Sequence, residues 1–522
     1  MKNVLSKFRP HSYWVVAVLF ICFKLCLHFF TNTNYELHRD ELLYFNMGDH
    51  LSFGYASVPP FIGFLAFAVK TIAGYSVFGV RLIPALLGGA SVYIIAKIIR
   101  ELGGGIPALI MACSAYLLSP GFLLFDTLFT PNVTEQFFWL LLTYSFFQLI
   151  SKNEPKLWIW IGLVAGLAFL NKYSTLIVIV GFVIALSASP YRKLFFSNYF
   201  IYSLILFVIL ILPNLLWQNS HNWPVFYHMK ELKDTQLNII NYSDFFVDVF
   251  TLNSASTIIW VVGLASLLFF KKETKYQYIG IASCIVIFIF FIMHGKGYYI
   301  LGIIPFLFAY GGYTLEKYLR GKFFSIYYAL FSLVMAASLM ALPYGLPLLS
   351  FKQLNNYSKN NGNYVVYPFS RWEDGKKHAI PQLYADMTGW QELTGYVALA
   401  YQQLPKEEKN KCTIYGERNY GYAGAVHFYG KEYGLPDAVT FLDSYTLWAP
   451  DSIPLGPVIY INSQIGEFNN MFHQITEIGC VKNKYFRENG LKVFLCMNPK
   501  IDIREVYKQK ARKEKRIYQY PF

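Results

Sequence analysis

The stretch His38-Arg39-Asp40-Glu41-Leu42-Leu43-Tyr44 runs on to Gly54-Tyr55-Ala56-Ser57-Val58-Pro59-Pro60, and it sets two adjacent carboxylates just beyond the apolar run 13–30. Carboxylates beside a bilayer are costly, so each needs a partner or a task. The chain then re-enters apolar sequence through the Pro-Pro pair, which makes this a loop between membrane-associated segments. Residues 40–52 and 60–73 are too short to span and read as helices lying along the membrane surface.

Outward from this loop the chain is membrane protein. It is 55% hydrophobic and 19% aromatic with only 15% charged residues, and its mean hydropathy is +0.35. Few soluble chains are so apolar. The net charge of +14 would suit nucleic acid, but Lys and Arg cluster in short segments between apolar runs. That is the positive-inside pattern, so the partner is a lipid bilayer and no nucleic acid is expected. The run 13–30 lacks a small-residue cleavage site and reads as a retained anchor. With Lys2, Lys7 and Arg9 inside, the basic turns at Arg100, Lys152 and Lys156, Arg192 and Lys193, Lys271, Lys272 and Lys275, and Lys317, Arg320 and Lys322 all fall on one side. About eleven spans with the N-terminus cytoplasmic satisfy them all.

From residue 346 the apolar runs shorten. Strands at 412–415, 439–442, 458–461 and 492–496, with helices at 420–429 and 467–478, predict a small α/β domain on the outer side. The expected organisation is a membrane domain over 1–345, an outer domain over 346–502 and a basic, solvated tail over 503–522. The seven cysteines show no metal spacing, and one disulfide among Cys412, Cys480 and Cys496 stays open.

The conspicuous polar residues sit at the outer ends of spans: Asp40 and Glu41, Asp126, Lys172, His294 and Lys296. A transporter or flippase of lipid-linked sugars, the alternative, would place ionisable groups near the midplane with repeat symmetry, and no repeat is visible. An inert anchor for a glycan-binding outer domain would not gather acids and cations at one rim. Acids and cations there suit sugar transfer from a lipid phosphate. A base, Asp40, takes the acceptor's proton, and cations stabilise the departing phosphate. Lys172, His294 and Lys296 are candidates for the phosphate, with Tyr298 and Tyr299 either donating to it or forming an interfacial aromatic belt.

The sequence resembles bacterial glycosyltransferase family 39, the protein O-mannosyltransferase-like membrane enzymes that include the lipid A aminoarabinose transferase. The resemblance rests on Asp40-Glu41-Leu42, Gly54-Tyr55 before Pro59-Pro60, Arg81 with its neighbours up to Pro84, and Asp126-Thr127-Leu128-Phe129-Thr130-Pro131-Asn132. It continues through Gly166-Leu167-Ala168-Phe169-Leu170-Asn171-Lys172-Tyr173, Pro213-Asn214-Leu215-Leu216-Trp217-Gln218 and His294-Gly295-Lys296-Gly297-Tyr298-Tyr299. In the outer part it reaches Gly389-Trp390-Gln391-Glu392-Leu393 and Asn419-Tyr420-Gly421-Tyr422-Ala423-Gly424-Ala425. Val58 stands where many relatives have histidine, and Leu43 where the aminoarabinose transferase has arginine. The resemblance implies a GT-C fold in a bacterial inner membrane, with the outer domain periplasmic. It implies an inverting hexosyl- or pentosyltransferase with a polyprenyl-phosphate sugar donor and a glycolipid (lipid A or core), surface glycan or protein acceptor. It makes Asp40 the catalytic acid with Glu41 beside it and Asp126 its partner, and puts Arg81 among the phosphate ligands. It leaves open a divalent cation held by Asp40 and Asp126.

Overall fold

Without water in the bilayer core, each apolar run must satisfy its own backbone, so the runs fold as helices. The computed structural model describes residues 10–237, 240–270, 275–319, 323–360 and 371–519. The predicted inside charges Lys2, Lys7, Arg9, Lys271, Lys272, Arg320 and Lys322 lie outside the described residues. The membrane part runs α1 (Pro10–Thr31), α2 (Arg39–Asn46), α3 (Phe61–Ala73), α4 (Val77–Glu101), α5 (Ile106–Leu118), α6 (Pro120–Phe125), α7 (Pro131–Lys152), α8 (Leu157–Asn171) and α9 (Thr175–Ser187). It continues with α10 (Asn198–Ser220), α11 (Pro224–Thr235), α12 (Tyr242–Asn253), α13 (Thr257–Phe269), α14 (Gln277–Ile292), α15 (Ile304–Tyr318) and α16 (Phe324–Gly345). α2 and α3 are the two expected surface helices.

Each predicted crossing falls on a helix, but length divides them. Among the described residues six helices are long and apolar enough to cross, or seven counting the bent pair Thr175–Ser187 and Pro190–Phe196. α5, α8, α9 and α14 have 13, 15, 13 and 16 residues, short of the roughly 20 of a full perpendicular span. The window Gly297–Tyr318 is 83% buried and Asn198–Ser220 only 17%, so α15 is the core of the bundle and α10 faces lipid. Helices close on α15 through small residues. A Cβ at Gly263 would strike the Leu307 carbonyl oxygen, and one at Gly311 that of Ile259.

The outer part opens with α17 (Phe351–Asn360) and holds α18 (Trp390–Gln402), α19 (Tyr420–Tyr429) and a sheet of β1 (Thr413–Gly416), β2 (Val458–Asn462), β3 (Phe472–Cys480) and β4 (Lys492–Pro499). The strand order is β1-β2-β4-β3. β1 runs parallel to β2, with Thr413 opposite Val458, whereas β4 is antiparallel to both β2 and β3. All seven cysteines are free.

Three expectations change here. The helix expected at 467–478 is one turn, Phe468–Met471, followed by β3. Ile475, Thr476 and Ile478 are β-branched, and pairing with β4 overrides a helical reading of so short a segment. The strand at 439–442 shrinks to a single bridge between Val439 and Tyr415. The solvated tail is a helix, α20 (Ile503–Gln519). Its Ile503, Tyr507 and Ala511, four residues apart, form one buried stripe against Tyr415, Val458 and Phe494. Lys510 pairs with Glu417 at 2.8 Å and Lys515 with Asp451 at 2.7 Å, so the basic face is partly engaged.

The outer part has no separate core on its inner side. Leu37, Leu42, Phe45 and Ile62 of the membrane part share one apolar cluster with Trp390, Val397, Tyr422, Ile459 and Val493. The Glu36 carboxylate accepts from the Trp390 and Gln391 amides at 2.7 and 3.2 Å and so caps α18.

Tyr507→Ala removes the centre of the α20 stripe and the hydrogen bond from its hydroxyl to the Pro450 carbonyl, 2.9 Å. Loss of a large buried aromatic costs about 3 kcal/mol, enough to release the helix. The expected readout is rapid tryptic cleavage at Lys508, Lys510 and Arg512 in the variant, with the wild type resistant there.

Candidate active site

The first turn of α2 decides which acid faces where. His38 is its N-cap. The His38 ring nitrogen Nδ1 accepts the Asp40 amide at 3.1 Å, and the Glu41 carboxylate accepts the His38 amide at 2.8 Å, a reciprocal capping box. This folds Glu41 inward beneath the helix, where it is fully buried. It meets Arg81 of α4, also fully buried, at 2.8 Å from Nη2 to Oε2. The guanidinium uses every N–H. Nε donates to both Glu41 oxygens at 3.2 Å, Nη1 to the Asn32 and Tyr35 carbonyls at 2.6 and 3.0 Å, and Nη2 to the Glu36 carbonyl at 2.7 Å as well as to Glu41. Glu41 Oε1 accepts in addition the Phe129 amide at 2.9 Å. Arg81, expected among the phosphate ligands, thus has its donors spent within the protein and no exposed surface. Glu41 likewise has no free edge toward a substrate, and its position is that of a scaffold residue, not of a second catalytic acid.

Asp40, one residue back, turns the other way. It is enclosed by protein yet keeps 31% of its side-chain surface, so it lines a recess. Tyr420 of α19 donates its hydroxyl to Oδ1 at 2.5 Å, and Arg39 Nε lies 3.5 Å from the same oxygen. Burial raises the Asp40 carboxyl, but His38, Arg39 and the Tyr420 hydrogen bond outweigh it and hold the group below the ordinary carboxylate range. Arg39 is held in turn by Asp386, 3.6 Å from Nε.

Each of the two predicted lysines is tied to a carboxylate. Lys172, at the end of α8, donates to Asn132 Oδ1 and Glu135 Oε2, each at 2.7 Å, and lies 5.2 and 5.9 Å from the ring centres of Tyr299 and Tyr298. Tyr298 is within electrostatic reach of Glu135 and of Tyr44, and Tyr44 within reach of Asp40. Lys296 donates to Gln236 at 2.7 Å and to Glu373 at 3.1 Å, and the Glu373 charge bears on both Arg39 and Asp40. Burial pushes Glu373 up, but Lys296, the Gln382 amide and Arg487 more than offset it and hold it at about 2. His294 stands apart. Its Nδ1–H donates to the Ile240 carbonyl at 2.9 Å and its ring packs 4.3 Å from Tyr242, in a left-handed turn with φ 52°. It holds a turn.

Asp126 does not join Asp40. It is buried, with Lys24 Nζ 2.7 Å from Oδ2 and the Tyr116 hydroxyl donating to the same oxygen at 3.1 Å. A Cβ at Gly88 would lie 2.7 Å from that oxygen, so the helix passes directly against the pair. A divalent cation shared by Asp40 and Asp126 does not fit, because the Lys24 ammonium already sits on the Asp126 carboxylate. Among the described residues no group of three or more His, Cys, Asp or Glu is placed to hold a metal. A cavity of about 420 Å³ lined by Gly48, Asp49, Leu51, Phe67, Lys70 and Thr71 lies at the far end of α2 and includes none of the groups around Asp40.

Several members of the site carried a usable signal in the sequence. Glu135 is an acid inside an apolar helix, and Lys24 is a lysine inside an apolar run; both types of position demand a partner. Tyr420 lay in a matching stretch with no role attached. Glu373 has no local signal at all.

Residues 57–217 match the family described as dolichyl-phosphate-mannose-protein mannosyltransferase. A lipid A galacturonosyltransferase of Rhizobium johnstonii, RgtD, is 27% identical over 225 residues, which are 43% of this chain and 46% of that protein. The match thus spans about half the length of that relative. ArnT from Cupriavidus metallidurans has the same fold. Its structure bound to undecaprenyl phosphate aligns over 92% of this chain and 98% of that one, with TM-score 0.60 and 14% identity. Its apo structure aligns over 93% and 98% with TM-score 0.62, again at 14% identity. The resemblance to family 39 is borne out, and the fold is a multi-pass GT-C membrane fold with a small C-terminal sheet domain.

Removing one partner of a buried ion pair costs about 3–5 kcal/mol, because the other charge stays buried and uncompensated. Arg81→Ala and Glu41→Gln are therefore expected to lose folded protein, seen as a lower melting temperature and aggregation on size exclusion in detergent. Full thermal stability of both would show that the pair is dispensable and reopen Arg81 to a phosphate role.

Proposed function

We propose that this chain is a membrane glycosyltransferase that moves a sugar from a polyprenyl phosphate to an acceptor on the outer, periplasmic side of a bacterial inner membrane. One observation carries the reading. Asp40 is a part-exposed carboxylate held ionised beside Arg39 and Tyr420, and the part-exposed Lys296 pairs with Glu373, whose charge bears on Asp40. In this reaction the acceptor hydroxyl attacks the anomeric carbon from the face opposite the phosphate. Asp40 takes the hydroxyl proton as the new C–O bond forms. The bond from the anomeric carbon to the phosphate oxygen breaks, and the polyprenyl phosphate leaves with the electron pair. The configuration inverts, because attack and departure are on opposite faces.

Lys172 and Lys296 meet the charge that grows on the leaving phosphate. Both are part-exposed at 24% and 20% of their side chains, and both are steadied by a carboxylate. Tyr298 and Tyr299 present their ring faces to the Lys172 ammonium, 5.9 and 5.2 Å from the ring centres. The donor reading draws support from the solved relative crystallised with undecaprenyl phosphate. The acceptor reading follows the name of the relative RgtD, which favours a glycolipid of the lipid A type over a protein or surface glycan. The transferred sugar is a hexose or pentose derivative.

The test is sugar transfer by purified protein in detergent, with lipid A, a glycan and a peptide offered in turn beside a polyprenyl-phosphate sugar. Asp40→Asn keeps shape and polarity but cannot accept a proton, so its turnover should fall about 10²–10⁴-fold with donor binding retained. Near wild-type turnover in that variant would remove the base assignment. Lys172→Ala and Lys296→Ala should each raise the donor concentration needed by about ten- to hundredfold, the scale of one hydrogen bond to a charged group. Unchanged donor kinetics in both would leave them as ordinary interfacial lysines.

A further inference from the structure

Tyr420 belongs to the outer domain, yet its hydroxyl ends on the carboxylate proposed as the base. The contact follows from the register between two helices. α19 lies along α2, with Tyr420 against Asp40, Gly424 against Leu42 and Phe428 against Phe45 at a ring separation of 5.1 Å. Gly424 is what allows the approach: a Cβ there would sit 2.7 Å from Leu42 Cβ and 3.2 Å from the Leu42 carbonyl carbon. The start of α19 is fixed by Asn419, whose side chain accepts the Gly421 amide at 2.8 Å and donates to Glu488 at 3.1 Å. The Arg39 guanidinium, 5.8 Å from the centre of the Tyr420 ring, closes the other side.

The two oxygens of Asp40 are thereby made unequal. Oδ1 takes the Tyr420 hydroxyl and faces Arg39 at 3.5 Å. Oδ2 has the His38 ring at 3.8 Å, and no hydrogen bond from a described residue reaches it. We propose that the outer domain completes the catalytic centre: Tyr420 is a positioning residue that fixes Asp40 through Oδ1 and leaves Oδ2 as the atom that receives the acceptor's proton. This rests on the assignment of Asp40 as base and gives the outer domain a part in the chemistry.

Among the described residues, the following charged and titratable groups bear on Asp40 directly or through Arg39. His38 and Arg39 come from the start of α2, Tyr44 from its next turn, Tyr420 from α19 and Glu373 from the segment before α18, with Asp386 behind Arg39. Burial and the Asp40 charge keep the Tyr420 phenol protonated, so it is the donor in this pair. A donated hydrogen bond favours the charged carboxylate, so losing it raises the carboxyl pKa and moves the acid limb of the rate profile to higher pH.

The experiment compares Tyr420→Phe, Gly424→Ala and Asp40→Asn with the wild type, each checked as a folded monodisperse species, by steady-state transfer across pH. Tyr420→Phe is expected to lower kcat about tenfold, leave the donor KM unchanged and shift the acid limb upward. Gly424→Ala, which props α19 off α2 while keeping the hydroxyl, should give the same pattern in weaker form. A purely structural role for Tyr420 would change the yield of folded protein but not the position of the acid limb. Wild-type kcat and acid limb in Tyr420→Phe, with Asp40→Asn inactive, overturn this proposal alone. If Tyr420→Phe does not fold, an unshifted acid limb in Gly424→Ala overturns it instead. Activity in Asp40→Asn fells the base assignment on which it stands.

Discussion

A guanidinium with five N–H groups and no acceptor sits fully buried in α4, and the end of the membrane domain that meets the sheet domain is arranged around satisfying it. Three carbonyls from the turn after α1 and the Glu41 carboxylate do so, which wraps residues 32–41 around Arg81. Glu41 in turn accepts the Phe129 amide and pins the turn between α6 and α7 to the same point. Burying two charges is expensive even when they pair, so a pair with every hydrogen bond made is better evidence of fixed geometry than of added stability. The geometry it fixes is the rotation of α2. Successive residues on a helix point about 100° apart, and with Glu41 locked inward Asp40 is turned toward the recess.

How much of this could be read from the sequence depends on whether the signal was local. Hydropathy located the helices, including α19 at Tyr420–Tyr429, because burial and period are written into consecutive residues. Strands β1, β2 and β4 were legible for the same reason. β3 was not, because Phe472–Cys480 is an edge strand whose outer face is solvated and whose identity comes from its partner β4. The tail's helix is hidden in the sequence because its charge is obvious while its buried stripe of Ile503, Tyr507 and Ala511 is sparse. In the site, Asp40 and Lys172 were found from their position at span ends. Their partners Tyr420, Glu135 and Glu373 come from elsewhere in the chain and could only be placed by the fold.

The acid pair Asp40 and Asp126 shows where rim position misleads. Both are acids close to the outer ends of apolar runs, and by that measure they are equivalent. Asp126 instead answers a lysine, Lys24, that sits fully buried in α1 about four turns from its start. A lysine at such depth cannot reach the interface by extending its side chain, so it requires a fixed counter-charge, and Asp126 with Tyr116 supplies it. The functional reading of an acid near a membrane therefore turns on whether a buried cation elsewhere already claims it. By that criterion Asp126 and Glu41 are claimed within the protein, whereas Asp40 shares its cationic neighbour Arg39 with Asp386, which is why the base is proposed there.

The C-terminal domain is docked on the membrane domain by burial as well as by polar contacts. Its apolar cluster is continuous with that of α2 and α3, and polar links tie both ends: Tyr429 accepts the interaction with the Leu37 amide at 2.9 Å, and Asn222 of the turn after α10 donates to the Ile517 carbonyl of α20 at 3.1 Å. A domain that merely captured a glycan would gain nothing from sharing a core with the surface helices. A reaction between a lipid-borne donor and a polar acceptor gains a great deal, since the phosphate must be met by fixed donors and bulk water kept from the anomeric carbon. With Tyr420 and Glu373 brought to Asp40 from the C-terminal domain, the proposed chemistry takes place at a seam whose two sides are held in register by burial. Small displacements of that seam act on the orientation of Asp40 before they act on the binding of either substrate.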